Sequence, residues 1–394
     1  MKNRSFWIDN LRSFVILLVV AHHAALAYPT FARFDKAAYI FSSHPMVDPQ
    51  RWIGMDRFIY FNDIFLMALM FFISGLFVMN SLRKKGPGTF LRDRFNRLFI
   101  PFAIGVTILM PIAHYPSFLV AHEDYSIKNY LIDYFTTEYW PVGPPWFIWV
   151  LFLFNMVFVW MFRYIKTRLD RLSQTFVFFK DKPFLLFLTW FAFTWILYVP
   201  MRLIFGPYQW TGIGPFDFQV STFFMYFGFF LAGIVFGNIP PEKGLFPDTF
   251  TLMRKWPLWI MLCLFLYVLL VSIDNPSLGN PLQKLVQSNT IGDAPAQIIY
   301  CSLYVATCIT GCLAYLTLFR ALADFTNKFW KSLASNSFFI YLIHYVFVIW
   351  SQYLLLQSTM PAIQKFSIVF IVSLSASWLL GLLIHKNRKL SVWF

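Results

Sequence analysis

Ten apolar runs, each long enough to cross a bilayer, constrain this chain more than any other feature. They lie near residues 6–27, 58–81, 98–118, 146–164, 184–204, 221–240, 257–274, 295–319, 335–352 and 363–384. A hydrocarbon core about 30 Å thick takes about 20 apolar residues of helix. Within it each segment must satisfy its own backbone N–H and C=O groups, so such runs fold as helices. The composition agrees: the 394-residue chain is 59% hydrophobic and 13% charged, with a mean hydropathy of +0.61. A soluble domain carries about 25% charged residues. The predicted fold is all-α, a polytopic transmembrane helical bundle of about ten helices. It forms a single integral-membrane domain over residues 1–394, with no soluble domain.

Basic residues orient the bundle. With the N-terminus in the cytoplasm, the inner segments carry 23 Lys and Arg and the outer segments 8. Cytoplasmic loops are the ones enriched in Lys and Arg, so both termini are expected in the cytoplasm. The formal net charge of +14 then marks a membrane face rather than a nucleic-acid partner. The longest loops, Pro29–Arg57 and Ala121–Pro145, face outward. Cys263, Cys301, Cys308 and Cys312 all sit inside apolar runs, without a His or carboxylate in register. They read as buried packing residues, with no metal site and no disulfide framework. Lys2, Arg4 and the Ala25-Leu26-Ala27 triplet imitate a cleavable signal peptide, but Phe6, Trp7 and Asp9 interrupt its charged region. The first run is therefore expected to stay.

That first run carries the chemistry. Leu11–Ala27 reads LRSFVILLVVAHHAALA, with Arg12 near its start and His22–His23 near its end. Ionisable groups in a membrane helix are costly and mark function. Eleven residues separate Arg12 from His23, which puts them on nearly one helix face and about 16 Å apart along the axis. His22 points about 100° away. Arg12 reads as an anion contact on the inner side, and His23 as a general base, since an imidazole titrates near neutral pH. A base in an apolar site wants an orienting carboxylate. Asp63 enters the second run from the outer side at a similar depth and is the candidate. Arg92, Arg94 and Arg97, in RKKGPGTFLRDRFNR, suggest a cytoplasmic phosphate clamp, because paired guanidinium forks suit phosphate. Trp140 and Trp146, in WPVGPPW, form an aromatic rim on the outer side, either an interfacial belt or a sugar-stacking surface. His344 lies deep in the ninth run and reads either as a hydrogen bond to a neighbouring helix or, with Trp140 and Trp146, as an acceptor contact.

An inner phosphate clamp and an outer base on one helix face suggest a reaction across the membrane. A cytoplasmic donor with a phosphate head and a long arm fits, and acyl-CoA has that shape. Its nucleotide would sit on Arg92, Arg94 and Arg97, and its arm would thread toward His23. The acceptor would be a hydroxyl on the outer side.

Five motifs then carry a resemblance: R-x10-H (Arg12, His23), FFISG (Phe71–Gly75), an R-x-x-R leading to a proline (Arg94, Arg97, Pro101), PWFIWVLF (Pro145–Phe152) and YLIH (Tyr341–His344). In this order they resemble the acyltransferase type 3 family of integral-membrane O-acyltransferases. IDNLRSFVILLVVAHHA and SNSFFIYLIH most resemble its glucan succinyltransferase branch. The resemblance implies an acyl-CoA donor, acetyl-CoA or succinyl-CoA, used as substrate with no permanently bound cofactor. It also implies O-acylation of an extracytoplasmic glycan, an essential His23, arginines that contact the donor, and a bacterial inner membrane. The competing reading is a polytopic transporter or flippase of a glycan or lipid-linked substrate. That class usually shows repeat symmetry, and none is visible here. The oligomeric state is not legible.

Overall fold

The computed structural model describes residues 6–42, 44–239, 255–273 and 280–386. Lys2, Arg4, Lys243, Arg254, Arg388 and Lys389, counted above toward orientation, lie outside the described residues. Among the described residues, ten helices are long and apolar enough to cross a membrane. They are α1 (Trp7–Ala25), α2 (Ile53–Lys85), α3 (Pro87–His122), α5 (Trp146–Val177), α6 (Pro183–Phe205), α7 (Val220–Gly237), α8 (Trp256–Ile273), α10 (Asp293–Leu322), α11 (Lys328–Leu355) and α12 (Ala362–Lys386). Two short helices, α4 (Ile127–Thr136) and α9 (Pro281–Gln287), lie in outer connections. A two-stranded antiparallel ribbon, β1 (Trp210–Thr211) with β2 (Phe218–Gln219), precedes α7. The all-α bundle is as the sequence predicts.

Two spans depart most from their expected bounds. The third was placed at 98–118, but α3 starts at Pro87. Gly86 turns the chain at φ +75°, and Pro87 opens the helix, where its missing N–H costs nothing. Arg92, Arg94 and Arg97 therefore lie within the helix itself. Wide π-turns occupy Phe95–Phe99 and Gly105–Leu109. Each closes two residues before a proline, Pro101 and Pro111, whose ring displaces the carbonyl four residues back. The fourth span, expected at 146–164, runs on to Val177. Its cytoplasmic extension is tied to α2 by Arg83–Asp170 at 2.7 Å.

The central contact is α2 on α7, and glycine sets its closeness. A Cβ on Gly75 would lie 2.2 Å from the Phe230 carbonyl oxygen, and one on Gly233 2.1 Å from that of Phe72. Small residues let membrane helices approach backbone to backbone. Helix α1 is pinned at its cytoplasmic end. Asp324 Oδ1 accepts from the Phe6 and Trp7 N–H groups, and Asn10 Nδ2 donates to the Ala323 and Phe325 carbonyls. From there α1 runs along α11.

At the outer end the loop after α1 is folded down as a cap. Asp48 N–H donates to the Ala27 carbonyl, Trp52 N–H to Tyr28 and Ser117 Oγ to Pro45. Lys365 Nζ, at the start of α12, reaches both Asp48 oxygens at 2.7 and 2.8 Å. Both side chains are buried, at 0% and 1% exposure.

Candidate active site

Two polar sites lie along α1, one in each half of the bundle. The inner one is a cavity of about 570 Å³ lined by Arg12, Arg94, Arg97, Asn155, Ser337 and Tyr341, among others. Arg94 and Arg97 are three residues apart and share a face of α3. The Arg94 guanidinium stacks on Phe90 at 4.8 Å. Arg12 Nη2 donates to the Ala334 carbonyl of α11 at 3.3 Å and lies 3.6 Å from Asp9 Oδ1. Arg92, expected in the same clamp, is exposed and does not line the cavity. It precedes Arg94 by two residues, about 200° around the helix.

Asn155 escaped the sequence reading. Its Nδ2 donates to the Leu151 carbonyl at 2.7 Å, and its buried Oδ1 has no partner among the described residues. A polar amide in the apolar run 146–164 was the available signal.

The outer site is built on imidazoles. His23 Nδ1 lies 2.8 Å from the Val19 carbonyl oxygen and 3.1 Å from His344 Nε2. His344 is fully buried, and its Nδ1 lies 2.7 Å from the Tyr341 carbonyl oxygen. Carbonyl oxygens only accept, so on each neutral ring Nδ1 carries the proton. His344 Nε2 then accepts from His23 Nδ1–H. This assignment leaves the His23 Nε2 lone pair to take a proton. Gln352 Nε2 fixes the backbone beneath by donating to the His23 and Ala24 carbonyls, and Tyr345 packs edge-on against the His23 ring at 5.2 Å.

The expected pairing of Asp63 with His23 is replaced by another. Asp63 Oδ1 lies 3.5 Å from His22 Nε2. The two histidines diverge by one helical step: His23 faces α11, and His22 faces α2, where Asp63 sits. His344, assigned from sequence to acceptor binding, is the group against His23.

The tryptophans separate too. Trp146 packs on Trp210 and Tyr226 at 5.8 and 6.0 Å, whereas Trp140 packs on Phe135 and Tyr134 at 5.1 and 5.9 Å. The Pro-Val-Gly-Pro-Pro turn between them, with Gly143 at φ +54°, sends them different ways. Neither lines the inner cavity.

Guanidinium groups around a cavity at the cytoplasmic end of a membrane bundle, with an oriented imidazole further along the same helix, fit a group-transfer protein embedded in the bilayer. A family model described as an acyltransferase domain matches residues 5–382, and the chain belongs to that family. It is similar to glucans biosynthesis protein C of Escherichia coli O139:H28 (strain E24377A / ETEC), with 24% identity over 259 residues, 62% of this chain and 60% of the relative. The same protein of Escherichia coli O6:K15:H31 (strain 536 / UPEC) is 24% identical over 254 residues, with the same coverage of 62% and 60%. The chain thus spans about 60% of the length of the curated relatives it matches. No solved structure matches.

Proposed function

We propose that this acyltransferase moves an acyl group, acetyl or succinyl, from cytoplasmic acyl-CoA to a hydroxyl of an extracytoplasmic glycan, in a bacterial inner membrane. The observation that carries the reading is the placement of Arg12 and His23 on one face of α1, each against α11. Arg12 joins a guanidinium-lined cavity, and His23 joins His344. A coenzyme A thioester presents phosphates that suit the cations Arg12, Arg94 and Arg97. A glycan hydroxyl is a weak nucleophile that needs a base.

In the proposed step His23 Nε2 takes the hydroxyl proton as that oxygen attacks the thioester carbonyl carbon. The C–O bond forms, the C–S bond breaks, and coenzyme A leaves as thiolate. The thiolate then takes the proton from His23, so no net proton is released. His344 acts as the positioning residue, its Nε2 stabilising His23 as the imidazolium forms. The inner cavity ends on α1 at Ile16 and on α11 at Tyr341. His23 lies seven residues beyond Ile16, about 10 Å along the axis. Between them Val19 and Val20 are buried at 2% and 0% exposure. The donor arm therefore has to pass this level of the bundle to reach the base.

The test is transfer of labelled acyl groups from acetyl-CoA and succinyl-CoA to oligosaccharide by purified protein, with His23→Ala alongside. General-base catalysis contributes about 10²–10⁴-fold, and a loss of that size is expected. Full activity in a folded His23→Ala protein overturns the proposal.

A further inference from the structure

Asp63 does not serve the base, and its setting calls for another role. It sits three turns into α2 with its side chain 58% exposed. A carboxylate at that depth is costly against lipid. Groups on three other helices lie near it. His22 of α1 lies 3.5 Å away. Tyr304 of α10 donates from its hydroxyl to the Asp63 backbone carbonyl at 3.3 Å. Tyr226 of α7 and Tyr304 are both within electrostatic range of the carboxylate. A side chain flanked by these groups and still open to solvent lines a recess between the helices. The recess opens outward: Asp63 lies in the first half of α2, which descends from the outer face, and His22 is in the last turn of α1.

Its walls are aromatic. Tyr198 of α6 stacks on Tyr304 with ring centroids 5.1 Å apart and planes within 20°. The hydroxyls of Tyr60 and Tyr300 meet at 2.6 Å on the same side of the bundle. Trp146 adjoins Tyr226. On the other side the His22 imidazole lies edge-on to that of His23, with ring centroids 5.5 Å apart.

We propose that this recess is the acceptor subsite and that it binds a neutral hexose ring, with Asp63 accepting hydrogen bonds from two neighbouring sugar hydroxyls. This rests on the acyl-transfer reading for the role of the bound sugar. The chemistry supports that ligand class. An ionised carboxylate only accepts, through two oxygens, and hydroxyl donors to it make short, charge-assisted bonds. Apolar aromatic walls with a few convergent polar groups are the general form of a small-ligand site. A sugar ring offers both an apolar C–H face for tyrosine and vicinal hydroxyls for Asp63. A ring held there lies against His22, whose ring centroid is 5.5 Å from that of His23. An anionic acceptor would meet the Asp63 charge and is disfavoured.

The experiment uses the full chain in lipid nanodiscs, free of sugar-headed detergent. Wild type, Asp63→Asn, Tyr304→Leu and Tyr304→Phe are titrated calorimetrically with neutral hexa-oligosaccharides of glucose, mannose and galactose, and separately with coenzyme A. Wild type is expected to bind at least one oligosaccharide. Asp63→Asn and Tyr304→Leu should weaken that binding at least ten-fold, Tyr304→Phe less than three-fold, and all should bind coenzyme A normally. If Asp63→Asn fails to fold, the two Tyr304 variants decide, since only loss of the ring should matter. Sugar affinity unchanged in both Asp63→Asn and Tyr304→Leu overturns the subsite. So does a wild type that binds coenzyme A but no oligosaccharide, and the acyl-transfer reading survives either result. Sugar binding through Asp63 without any coenzyme A binding sustains the subsite and removes the donor.

Discussion

The inner and outer halves of the bundle are polar in different ways. The inner cavity is lined by three guanidinium groups, those of Arg12, Arg94 and Arg97. The outer half gathers groups that exchange protons or accept hydrogen bonds, His22, His23, His344 and Asp63, among tyrosines. A strongly anionic donor and an uncharged acceptor would ask for this division. Helix α1 joins the halves, and the packed layer at Val19 and Val20 keeps them apart.

Mutating each half should produce opposite kinetic defects, and this is the largest expected effect. His23→Ala should lower kcat by about 10²–10⁴-fold with coenzyme A affinity intact. Arg94→Ala/Arg97→Ala should instead weaken coenzyme A binding at least ten-fold, since charge-assisted hydrogen bonds contribute about 1.5–3 kcal/mol each. Thermal shift with coenzyme A separates the two, because a ligand stabilises only protein that binds it. A His23→Ala protein that loses the shift, or a double arginine variant that keeps it, would merge the halves into one site.

The second contrast concerns rigidity. The outer cap is locked by Lys365 on Asp48, a pair removed from solvent. Breaking such a pair from one side strands a buried charge and costs about 3–5 kcal/mol. Lys365→Met should therefore lower the melting temperature more than any single change in the inner arginine clamp. Asp48→Asn/Lys365→Met should recover most of the loss, because neutral partners leave no stranded charge. Differential scanning fluorimetry of the three variants checks this. A double variant as unstable as Lys365→Met would mean that the hydrogen bonds of the cap matter more than its charge.

How far the sequence reached follows the same division. Span count depends on hydropathy, which is local, so it was legible. The Arg12–His23 face was legible because helical geometry fixes it within one segment. The α2–α7 crossing left only a local trace. Gly75 sits in the FFISG motif and Gly233 in an apolar run, and nothing in either says that Phe72 and Phe230 carbonyls press on them. Partnerships between segments failed for the same reason. Asp63 and His23 match in depth, yet depth does not give azimuth, and the carboxylate found His22 instead. His344 was legible as an unusual residue and not as the partner of His23, because 321 residues separate them.

His344 sharpens the comparison within the outer half. His344→Phe keeps an aromatic ring and removes the acceptor for His23 Nδ1–H. The expected loss in kcat is about 10–100-fold, the range for residues that orient a functional imidazole. Coenzyme A binding should not change. His344→Gln offers an amide oxygen as a substitute acceptor and should recover part of the rate. Rates of the two variants at matched folding check this, and equal activity in both would reduce His344 to packing.

Arg92 gives the smallest expected effect and the cleanest control for the inner half. It shares a basic segment with Arg94 and Arg97, and on charge alone the three are equivalent. The helix separates them. Arg94 and Arg97 line the cavity, and Arg92, exposed, does not. If the cavity binds phosphate through direct guanidinium contacts, Arg92→Ala should change coenzyme A affinity less than two-fold at physiological ionic strength. At low salt the difference should grow, because an exposed charge outside the site acts only through a screened field. Titrations of Arg92→Ala and Arg94→Ala at two salt concentrations distinguish contact from field. A loss in Arg92→Ala that equals the loss in Arg94→Ala and persists at high salt would make the basic segment a diffuse attractor and deny the cavity its role as the binding site.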